Sequence, residues 1–372
     1  MNTILVLDQS TSATKALFYD LSGNLIDKES ADHQQYYPKP GWVEHDAEEI
    51  WNNSLDVISK LVKRNQDIIK HTLCFSITNQ RETFVVFDKK SGKPLHNAIV
   101  WQCRRGDDIC KNLENKEYGQ LIREKTGLKV DTYFSASKIQ WLIQNSPEIS
   151  SKIRSGDALI GTIDTYLIYR LTQGEIFATD YTNASRTLLF DIIELKWSEE
   201  LCDLFEVPPY SLPVVLESSS HFGKTNFEDI LEHCLPICGV VGDSQGSLFS
   251  QKCFHEGMAK VTLGTGSSLL LNIGNSHRPK ADTPVTTIGW VLNGTPTYSY
   301  EGIINYSAAT ISWLQNQLGL IDNPDETEKM ALSVEDNGGV YLVPAFAGLS
   351  DPYWQPEAKA AILGLTSHSN KN

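Results

Sequence analysis

The sequence predicts an α/β protein of two lobes, and three observations support that prediction. Short apolar strands alternate with amphipathic helices along the chain, which is typical of α/β folds. A unit of strand, polar turn and strand at residues 4–19 returns at residues 259–273, which indicates two related lobes. The length of 372 residues is enough for two domains. The spacing of the repeat favours a boundary near residue 245.

The opening of the chain predicts three short strands that follow one another. Residues 4–7 are apolar, residues 9–14 form a turn of small polar residues, and residues 16–19 return as a second strand. A turn around Gly23 then precedes the start of a third strand at residues 25–26. This meander differs from the strand-helix-strand opening of a Rossmann domain.

Helices and further strands follow in alternation. Asp46 is a predicted helix N-cap with Glu49 at the capping-box position, and apolar residues then recur at helical spacing. The other predicted elements are strands at 74–77, 85–87, 157–163 and 238–241 and helices at 136–145 and 165–171. In the second copy of the repeat, residues 259–263 and 268–273 are the strands and residues 264–267 the turn.

The composition excludes some classes of partner. A net charge of −14 disfavours nucleic acid and anionic membranes, since both require a basic surface. No apolar run reaches the roughly 18 residues of a membrane span, and the N-terminus lacks the pattern of a secretory signal. The seven cysteines are scattered and odd in number, so we expect reduced thiols without a zinc site. These features predict a cytoplasmic protein.

The first polar turn has the residue types of an anion-binding loop. Its small residues leave backbone N–H groups free to point into one cavity, Thr11 and Ser12 add hydroxyl groups, and Lys15 adds a positive charge. Asp8, at the end of the strand, is placed to hold Mg²⁺ through water. The glycine-rich spacing of a Walker loop is absent. An ordinary hairpin turn is therefore the alternative.

The second polar turn, residues 264–267, has a similar composition of glycine, serine and threonine. Two such turns on either side of a cleft can hold a triphosphate between them. Taken alone, this turn is an ordinary glycine hairpin. The pair of turns, with Gly242 and Asp243 at a strand end between them, favours a phosphate clamp.

Residues 79–83 are five polar residues between two apolar strands. Arg81 and Glu82 together offer donors and acceptors that suit the hydroxyl groups of a ligand. A solvated loop explains the pattern equally well. Residues 101–105 similarly combine an aromatic face, Trp101, with charge.

These segments together resemble the FGGY family of sugar and polyol kinases, most closely the glycerol kinases. The resemblance covers the whole chain and is strongest in segments 36–46, 77–83, 97–105, 133–145, 179–186, 344–354 and 361–366. It implies an actin-like ATPase fold, which is a ribonuclease H-like fold, with two lobes around a cleft. By this resemblance, residues 1–245 form the polyol-binding lobe with the first phosphate loop. Residues 246–372 form part of a nucleotide-binding lobe that is incomplete in this chain.

The resemblance also implies an ATP-dependent phosphotransferase that requires Mg²⁺. Asp243 is implied as the general base that takes a proton from a terminal hydroxyl group. The implied polyol-binding residues, besides Asp243, are Arg81, Glu82, Trp101, Tyr133, Ser244 and Ser268. The implied nucleotide-binding residues are Thr11, Ser12, Ala13, Lys15, Gly264, Thr265, Gly266, Ala308 and Ser312, with Asp8 at the metal.

Several of these positions depart from the glycerol kinase pattern. Ser244 stands where a Gln contacts glycerol, and Ser268 stands where a Phe lines the pocket. Both changes make the pocket larger and more polar, so one hypothesis is a substrate longer than glycerol, such as a larger polyol or a ketopentose. A truncated polyol-binding protein without catalysis is a further alternative. Relatives imply a homo-oligomer, either a dimer or a tetramer.

Overall fold

The computed structural model of the chain describes residues 1–264, 266–280, 283–346, 348–351, 353–355 and 358–370, and its architecture is mixed α/β. The strands are β1 Thr3–Gln9, β2 Ala13–Asp20, β3 Leu25–Asp32, β4 Gln35–Tyr36, β5 Glu44–His45, β6 Thr72–Asn79, β7 Phe84–Asp88, β8 Ala98–Ile99, β9 Ala158–Thr162, β10 Ala178–Asp180, β11 Phe190–Asp191, β12 Lys196–Trp197, β13 Val214–Leu216, β14 Lys224–Thr225, β15 Leu235–Gly242, β16 Ala259–Leu263, β17 Ser267–Asn272, β18 Val285–Leu292, β19 Thr295–Ile304, β20 Tyr341–Val343 and β21 Ala361–Leu363.

The helices alternate with these strands. They are α1 Ala47–Arg64, α2 Gln66–Ile69, α3 Asp107–Asn115, α4 Gly119–Thr126, α5 Ser135–Asn145, α6 Pro147–Ser155, α7 Ile163–Leu171, α8 Tyr181–Ala184, α9 Glu199–Leu204, α10 Asp243–Ser250, α11 Ala308–Asn316 and α12 Glu326–Leu332. The predicted α/β class is therefore confirmed. Within the described part of the chain, no helix has both the length and the apolar character needed to cross a membrane.

The first sheet has the strand order β14-β15-β6-β1-β2-β3. Strands β1, β2 and β3 are antiparallel neighbours, while β6 and β15 run parallel to β1. Alternate residues of β1, among them Leu5 and Leu7, point into the largest apolar core, where they meet α1 and α7. This sheet brings the end of β1, the end of β6 and the end of β15 to one edge. The segments that follow those strands carry the predicted phosphate turn, Arg81 and Asp243.

Helix α1 begins where the sequence predicts. The carboxylate of Asp46 accepts hydrogen bonds from the backbone N–H groups of Glu48 and Glu49, at 2.8 and 3.4 Å, which satisfies two donors at the first turn. The buried face of the helix includes Ile50, Trp51, Val57, Ile58, Leu61 and Val62. Burial of this apolar stripe against the first sheet holds the helix in place.

The first polar turn is shorter than the sequence predicts. Strand β1 continues to Gln9 and β2 begins at Ala13, so only residues 10–12 connect them. The backbone N–H of Ser10 donates to the carbonyl oxygen of Ala13 at 2.9 Å, which closes the hairpin. Ala13 is buried as part of a strand. The prediction that residues 9–14 all lie in the turn is therefore wrong.

A second, antiparallel sheet has the order β16-β17-β19-β18. The predicted repeat is present as the hairpins β1-β2 and β16-β17, each with a short polar turn. The sheets differ beyond these hairpins, because β1 lies between β2 and β6 whereas β16 is an edge strand among the described residues. The predicted lobe boundary at residue 245 falls inside α10 and stays a prediction.

A third sheet, in the order β4-β5-β8-β7-β9, packs with helices α3, α5 and α6 around a separate apolar core. Segments of this part of the chain carry Trp101 and Tyr133. They lie beside the residues that follow β6, so the aromatic side chains approach Arg81 and Glu82 from one side.

Candidate active site

The polar segment 79–83 is buried between β6 and β7. Arg81 is 5% exposed and Glu82 is 1% exposed, so the alternative of a solvated loop is wrong. Glu82 has a φ of 61°, a left-handed conformation that is rare for a residue with a Cβ. Such strain persists where the surrounding structure fixes it, and it clusters at functional sites.

Four charged side chains form a buried chain of ion pairs. Glu301, from β19, accepts hydrogen bonds from Arg81 at 2.8 Å and lies 2.5 Å from a guanidinium nitrogen of Arg186. Arg186 donates from Nε to Glu82 at 2.6 Å. The positive and negative groups alternate, so each charge has an opposite charge beside it. We call Arg81, Glu82, Arg186 and Glu301 the charge cluster.

The two carboxylates of the charge cluster differ in acidity. Burial favours the neutral form of Glu301, but the guanidinium groups of Arg186 and Arg81 outweigh it and lower its pKa to about 2. Burial raises the pKa of Glu82, and the same two arginines only partly offset that effect. Glu301 is therefore the firmly ionised member of the pair, and Glu82 is the carboxyl group that is easier to protonate.

Asp243 is the first residue of α10, directly after β15. One of its carboxylate oxygens lies 3.3 Å from Nε of Arg81, and 47% of its side chain is exposed. Gly242 permits this approach, because a Cβ at that position would lie 2.8 Å from Cγ of Arg81. The arrangement presents an accessible carboxylate beside a fixed cation, which suits a proton acceptor at the surface of a cleft.

Trp101 and Tyr133 form an aromatic wall beside the charge cluster. Their ring centroids are 5.2 Å apart. Together with Ile303, Asn305 and other residues, they line a cavity of about 320 Å³. Burial raises the pKa of Tyr133, and the carboxylate of Glu82 adds to the effect. Its hydroxyl group is therefore a donor at any physiological pH.

Ser244 and Ser268 lie on different elements, α10 and β17. Nζ of Lys260 donates hydrogen bonds to Oγ of Ser268 at 3.0 Å and to Oγ1 of Thr262 at 2.9 Å. Burial lowers the pKa of Lys260 to about 8, and the charge of Arg81 adds to the effect. Ser268 therefore presents a hydroxyl group that is hydrogen-bonded to the ammonium group of Lys260.

Two charged groups, from β1 and β2, flank the predicted first phosphate turn at the surface. Nζ of Lys15 lies 3.2 Å from a carboxylate oxygen of Asp8, and both side chains are partly exposed. Thr11 accepts a hydrogen bond from Nε1 of Trp101 at 3.0 Å, so the turn is joined to the aromatic wall. Ser12 is exposed at the tip of the turn.

Ala13 does not take the place that the sequence analysis gave it. Its side chain is buried, and its backbone N–H donates to Oγ of Ser10 at 3.3 Å. An N–H group that is already paired within the hairpin is a poor ligand for phosphate. The turn therefore offers Thr11 and Ser12, and the adjoining strand β2 adds Lys15.

The predicted second phosphate turn contacts the start of α11. The backbone N–H of Ala308 donates to the carbonyl oxygen of Gly264 at 3.0 Å. Gly266 has no space for a side chain, because a Cβ would lie 2.7 Å from the carbonyl oxygen of Ile304. Ala308 and Ser312 are exposed on α11, and Thr265 lies outside the described residues. An accessible turn of glycines beside a helix start fits a phosphate group.

Beside the first turn, one carboxylate, that of Asp8, is available to a magnesium ion. Among the described residues no group of three His, Cys, Asp or Glu side chains could hold a metal ion. Mg²⁺ retains several waters and commonly takes one or two carboxylates together with substrate phosphates. Asp8, a partly exposed carboxylate next to Lys15, is consistent with that mode of binding.

Comparison with protein families decides the ancestry. The model of the FGGY family of carbohydrate kinases, N-terminal domain, matches residues 3–250, and the model of its C-terminal domain matches residues 259–372. The chain belongs to the FGGY family of carbohydrate kinases. The resemblance found in the sequence segments is thereby confirmed.

Among its FGGY relatives, glycerol kinase 1 of Thermotoga maritima is 49% identical over 99% of this chain and 75% of the relative. A glycerol kinase of Brevibacillus brevis is 46% identical over 98% of this chain and 72% of the relative. The crystal structure of Plasmodium falciparum glycerol kinase with ADP superimposes with a TM-score of 0.93 at 41% identity, over 100% of this chain and 74% of that one. The chain thus spans about three quarters of their length.

More distant FGGY structures share the fold. A ligand-bound xylulose kinase from Lactobacillus acidophilus superimposes with a TM-score of 0.88 at 22% identity, over 100% of this chain and 74% of that chain. The predicted actin-like fold is therefore confirmed.

Sequence reasoning missed three charged residues at this site, namely Arg186, Lys260 and Glu301. Each is buried, and each contacts a predicted site residue. A signal was present for two of them, since Lys260 and Glu301 are single charges within strands of otherwise uncharged residues. A charged residue in such a strand is rarely buried unless it is paired.

Proposed function

We propose that this FGGY-family chain is an ATP-dependent kinase that phosphorylates a terminal hydroxyl group of glycerol or a related small polyol. The observation that carries the proposal is the contact between Asp243 and Arg81 beside the aromatic wall. The contact joins an accessible carboxylate to a buried cation of the charge cluster. The identity to glycerol kinases over nearly the whole chain supports the same chemistry.

Asp243 is the proposed general base. Its carboxylate accepts the proton of the attacking hydroxyl group, so that the oxygen becomes more nucleophilic as it meets the phosphoryl group. Arg81 and Glu82 hold the hydroxyl groups of the polyol, and Trp101 and Tyr133 cover its carbon chain. Because Arg81 is itself held by Glu301, the base and the substrate are oriented by the same rigid cluster.

ATP supplies the phosphoryl group. The proposed nucleotide-binding residues are Thr11, Ser12, Lys15, Gly264, Thr265, Gly266, Ala308 and Ser312, and Ala13 is left out because its N–H group is paired within the hairpin. Lys15 and the exposed backbone of the two turns neutralise phosphate charge. Asp8 is the residue that would hold Mg²⁺, and the bound ion would neutralise charge on the phosphates of ATP.

A second candidate function is a kinase for a longer polyol or a ketopentose. The contact between Ser268 and Lys260 favours it, because the two side chains offer hydroxyl and ammonium groups at a position that is aromatic in the glycerol kinase pattern. Ser244 adds a second small polar side chain. Hydrogen-bonding groups that the shorter substrate leaves unpaired would favour the longer one.

Three further points stay predictions. A cytoplasmic location and a homo-oligomeric state follow from composition and from the resemblance. A third possibility is a polyol-binding protein without turnover, which shares the residues of the charge cluster. Binding and turnover must therefore be measured separately.

The test is an ADP-release assay with glycerol, erythritol, ribitol and xylulose, beside calorimetry of each polyol without ATP. We expect turnover with at least one polyol, and Asp243→Asn should lower kcat by about 10²- to 10⁴-fold while polyol affinity changes little. Higher kcat/KM for glycerol than for all longer polyols would remove the second candidate. Polyol binding without turnover by the unaltered chain would favour the binding protein instead.

A further inference from the structure

Glu301 connects the two FGGY domains at the polyol side of the cleft. It comes from β19 in the C-terminal domain, whereas Arg81 and Arg186 belong to the N-terminal domain. Its side chain is fully buried and contacts both arginines, at 2.8 and 2.5 Å. No substrate-binding role was predicted for it. It nevertheless holds Arg81, which is a proposed polyol-binding residue.

The strand register explains how the contact arises. Glu301 pairs with Leu270 of β17, and Leu270 pairs with Lys260 of β16, so these residues lie level across three strands on one face of the sheet. Because side chains alternate between faces along a strand, Ser268 lies on this face as well. The same face meets the N-terminal domain, since Thr287 of β18 contacts Ser185 and Gln245.

We propose that Glu301 is a positioning residue for polyol recognition, which holds the guanidinium groups of Arg81 and Arg186 in the orientation that the substrate requires. The inference rests on the proposed function, because it concerns the same site. Glu301 does this from the C-terminal domain, so the polyol half of the site depends on the approach of both domains.

The local electrostatics support a role beyond packing. Arg81 has two further polar contacts, since Nε lies 3.3 Å from a carboxylate oxygen of Asp243 as an ion pair and a terminal nitrogen donates to Gln245 at 3.3 Å. When Glu301 takes the other terminal nitrogen, the guanidinium plane is fixed with Nε toward Asp243. Without that contact, Arg81 is free to turn toward the remaining anions. The base and the hydroxyl-binding groups would then lose their common alignment.

A matched pair of variants distinguishes the effect of the charge of Glu301 from the effect of its side-chain length. Glu301→Gln keeps the length of the side chain and loses its charge, whereas Glu301→Asp keeps the charge and is too short to contact both arginines well. Tyr298→Phe is the control, because Tyr298 lies on the same strand, is buried, and donates across the domains to the carbonyl oxygen of Ile192 at 2.9 Å. The control removes one interdomain hydrogen bond in which neither Arg81 nor Arg186 takes part.

Three quantities are measured on the full chain. They are the Kd of glycerol and of the preferred polyol by calorimetry, the KM values for polyol and for ATP, and the thermal unfolding temperature. Loss of a charged hydrogen bond corresponds to about 10- to 100-fold in affinity. We expect polyol Kd and KM to rise by that range in Glu301→Gln, and by less in Glu301→Asp. KM for ATP should change by less than about threefold, and Tyr298→Phe should bind polyol like the unaltered chain.

The outcomes distinguish the inference from the proposed function. Folded Glu301→Asp and Glu301→Gln proteins that bind polyol as the unaltered chain does would overturn the positioning role alone. An equal loss of polyol affinity in Tyr298→Phe would also overturn it, since the effect would then be general to the interface. If Glu301→Gln does not fold, Glu301→Asp decides the question. An unaltered chain that binds no polyol would instead remove the proposed function and this role with it.

Discussion

The proposed polyol half and the proposed nucleotide half of the site are built differently. Arg81, Glu82 and Arg186 in the N-terminal domain are buried and paired, whereas Ala308 and Ser312 in the C-terminal domain are exposed. The first half is therefore organised by contacts within the chain before any ligand arrives. The second half presents backbone and small side chains at a surface. Substitutions in the first half are therefore expected to act first on stability, and those in the second half on turnover.

The largest expected effect tests the buried half. In Arg186→Met the carboxylates of Glu82 and Glu301 lose a guanidinium group that contacts both, at 2.6 and 2.5 Å. Breaking a buried ion pair by removal of one partner costs about 3–5 kcal/mol. We expect the free energy of unfolding, measured in urea, to fall by that amount.

Its matched control lies in the open half. Ser312→Ala changes an exposed side chain on α11, and such surface changes stay within about 0.5 kcal/mol. Equal losses of stability in Arg186→Met and Ser312→Ala would break the comparison. A loss confined to Arg186→Met would support it.

A smaller effect is expected from Gly266→Ala in the second phosphate turn. A Cβ at this position would lie 2.7 Å from the carbonyl oxygen of Ile304 and 3.0 Å from that of Asn305, so the turn must shift. Misplacement of a phosphate-binding group by about 1 Å costs on the order of 10²-fold in rate. We expect kcat/KM for ATP to fall by that factor in the ADP-release assay.

The same variant should leave the polyol half unchanged. Its glycerol affinity, measured by calorimetry without nucleotide, is expected to match that of the unaltered chain. Ser276→Ala, an exposed change in the loop after β17, is the control for a neutral substitution in the same domain. A loss of glycerol affinity in Gly266→Ala would show that the two halves are coupled more tightly than their structures indicate.

The sequence predicts the fold well because local signals and burial agree. The helical spacing after Asp46 gives α1, and the hairpin repeat gives β16 at residues 259–263 as predicted. The turn at residues 9–14 was assigned too many residues, since its polar composition conceals that Gln9 and Ala13 pair within strands. Composition predicts that a turn is present, but the backbone hydrogen bonds between the strands determine where the turn ends.

The residues proposed to contact ligands were predicted one by one from a resemblance. The buried charged residues that contact them, such as Glu301, were not predicted. Arg81 and Asp243 lie in segments with recognisable motifs, so their proximity could be expected. Glu301 is distant in sequence from both and lies in an ordinary strand, so only the strand register and the packing of two domains bring it to Arg81. The physical reason for the omission is that burial and pairing arise from tertiary structure.

The smallest effect concerns the bond that joins the two halves. Nε1 of Trp101 donates to Oγ1 of Thr11 at 3.0 Å, so the aromatic wall of the polyol half is tied to the first phosphate turn. Trp101→Phe keeps an aromatic ring beside Tyr133 and removes this donor. A neutral hydrogen bond contributes about 1 kcal/mol, which corresponds to roughly a fivefold change. We expect that loss in kcat/KM for polyol and for ATP alike, because the bond connects both.

Thr11→Val removes the same bond from its other end, so the two substitutions form a double-mutant cycle. If the bond itself is responsible, the double variant should lose no more than the larger of the two single losses, which is about fivefold. The effects of two unconnected sites would instead multiply, as additivity of free energies requires. Multiplied losses would mean that Trp101 and Thr11 act separately, and that the polyol half and the nucleotide half are joined only through the charge cluster and the meeting of the two domains.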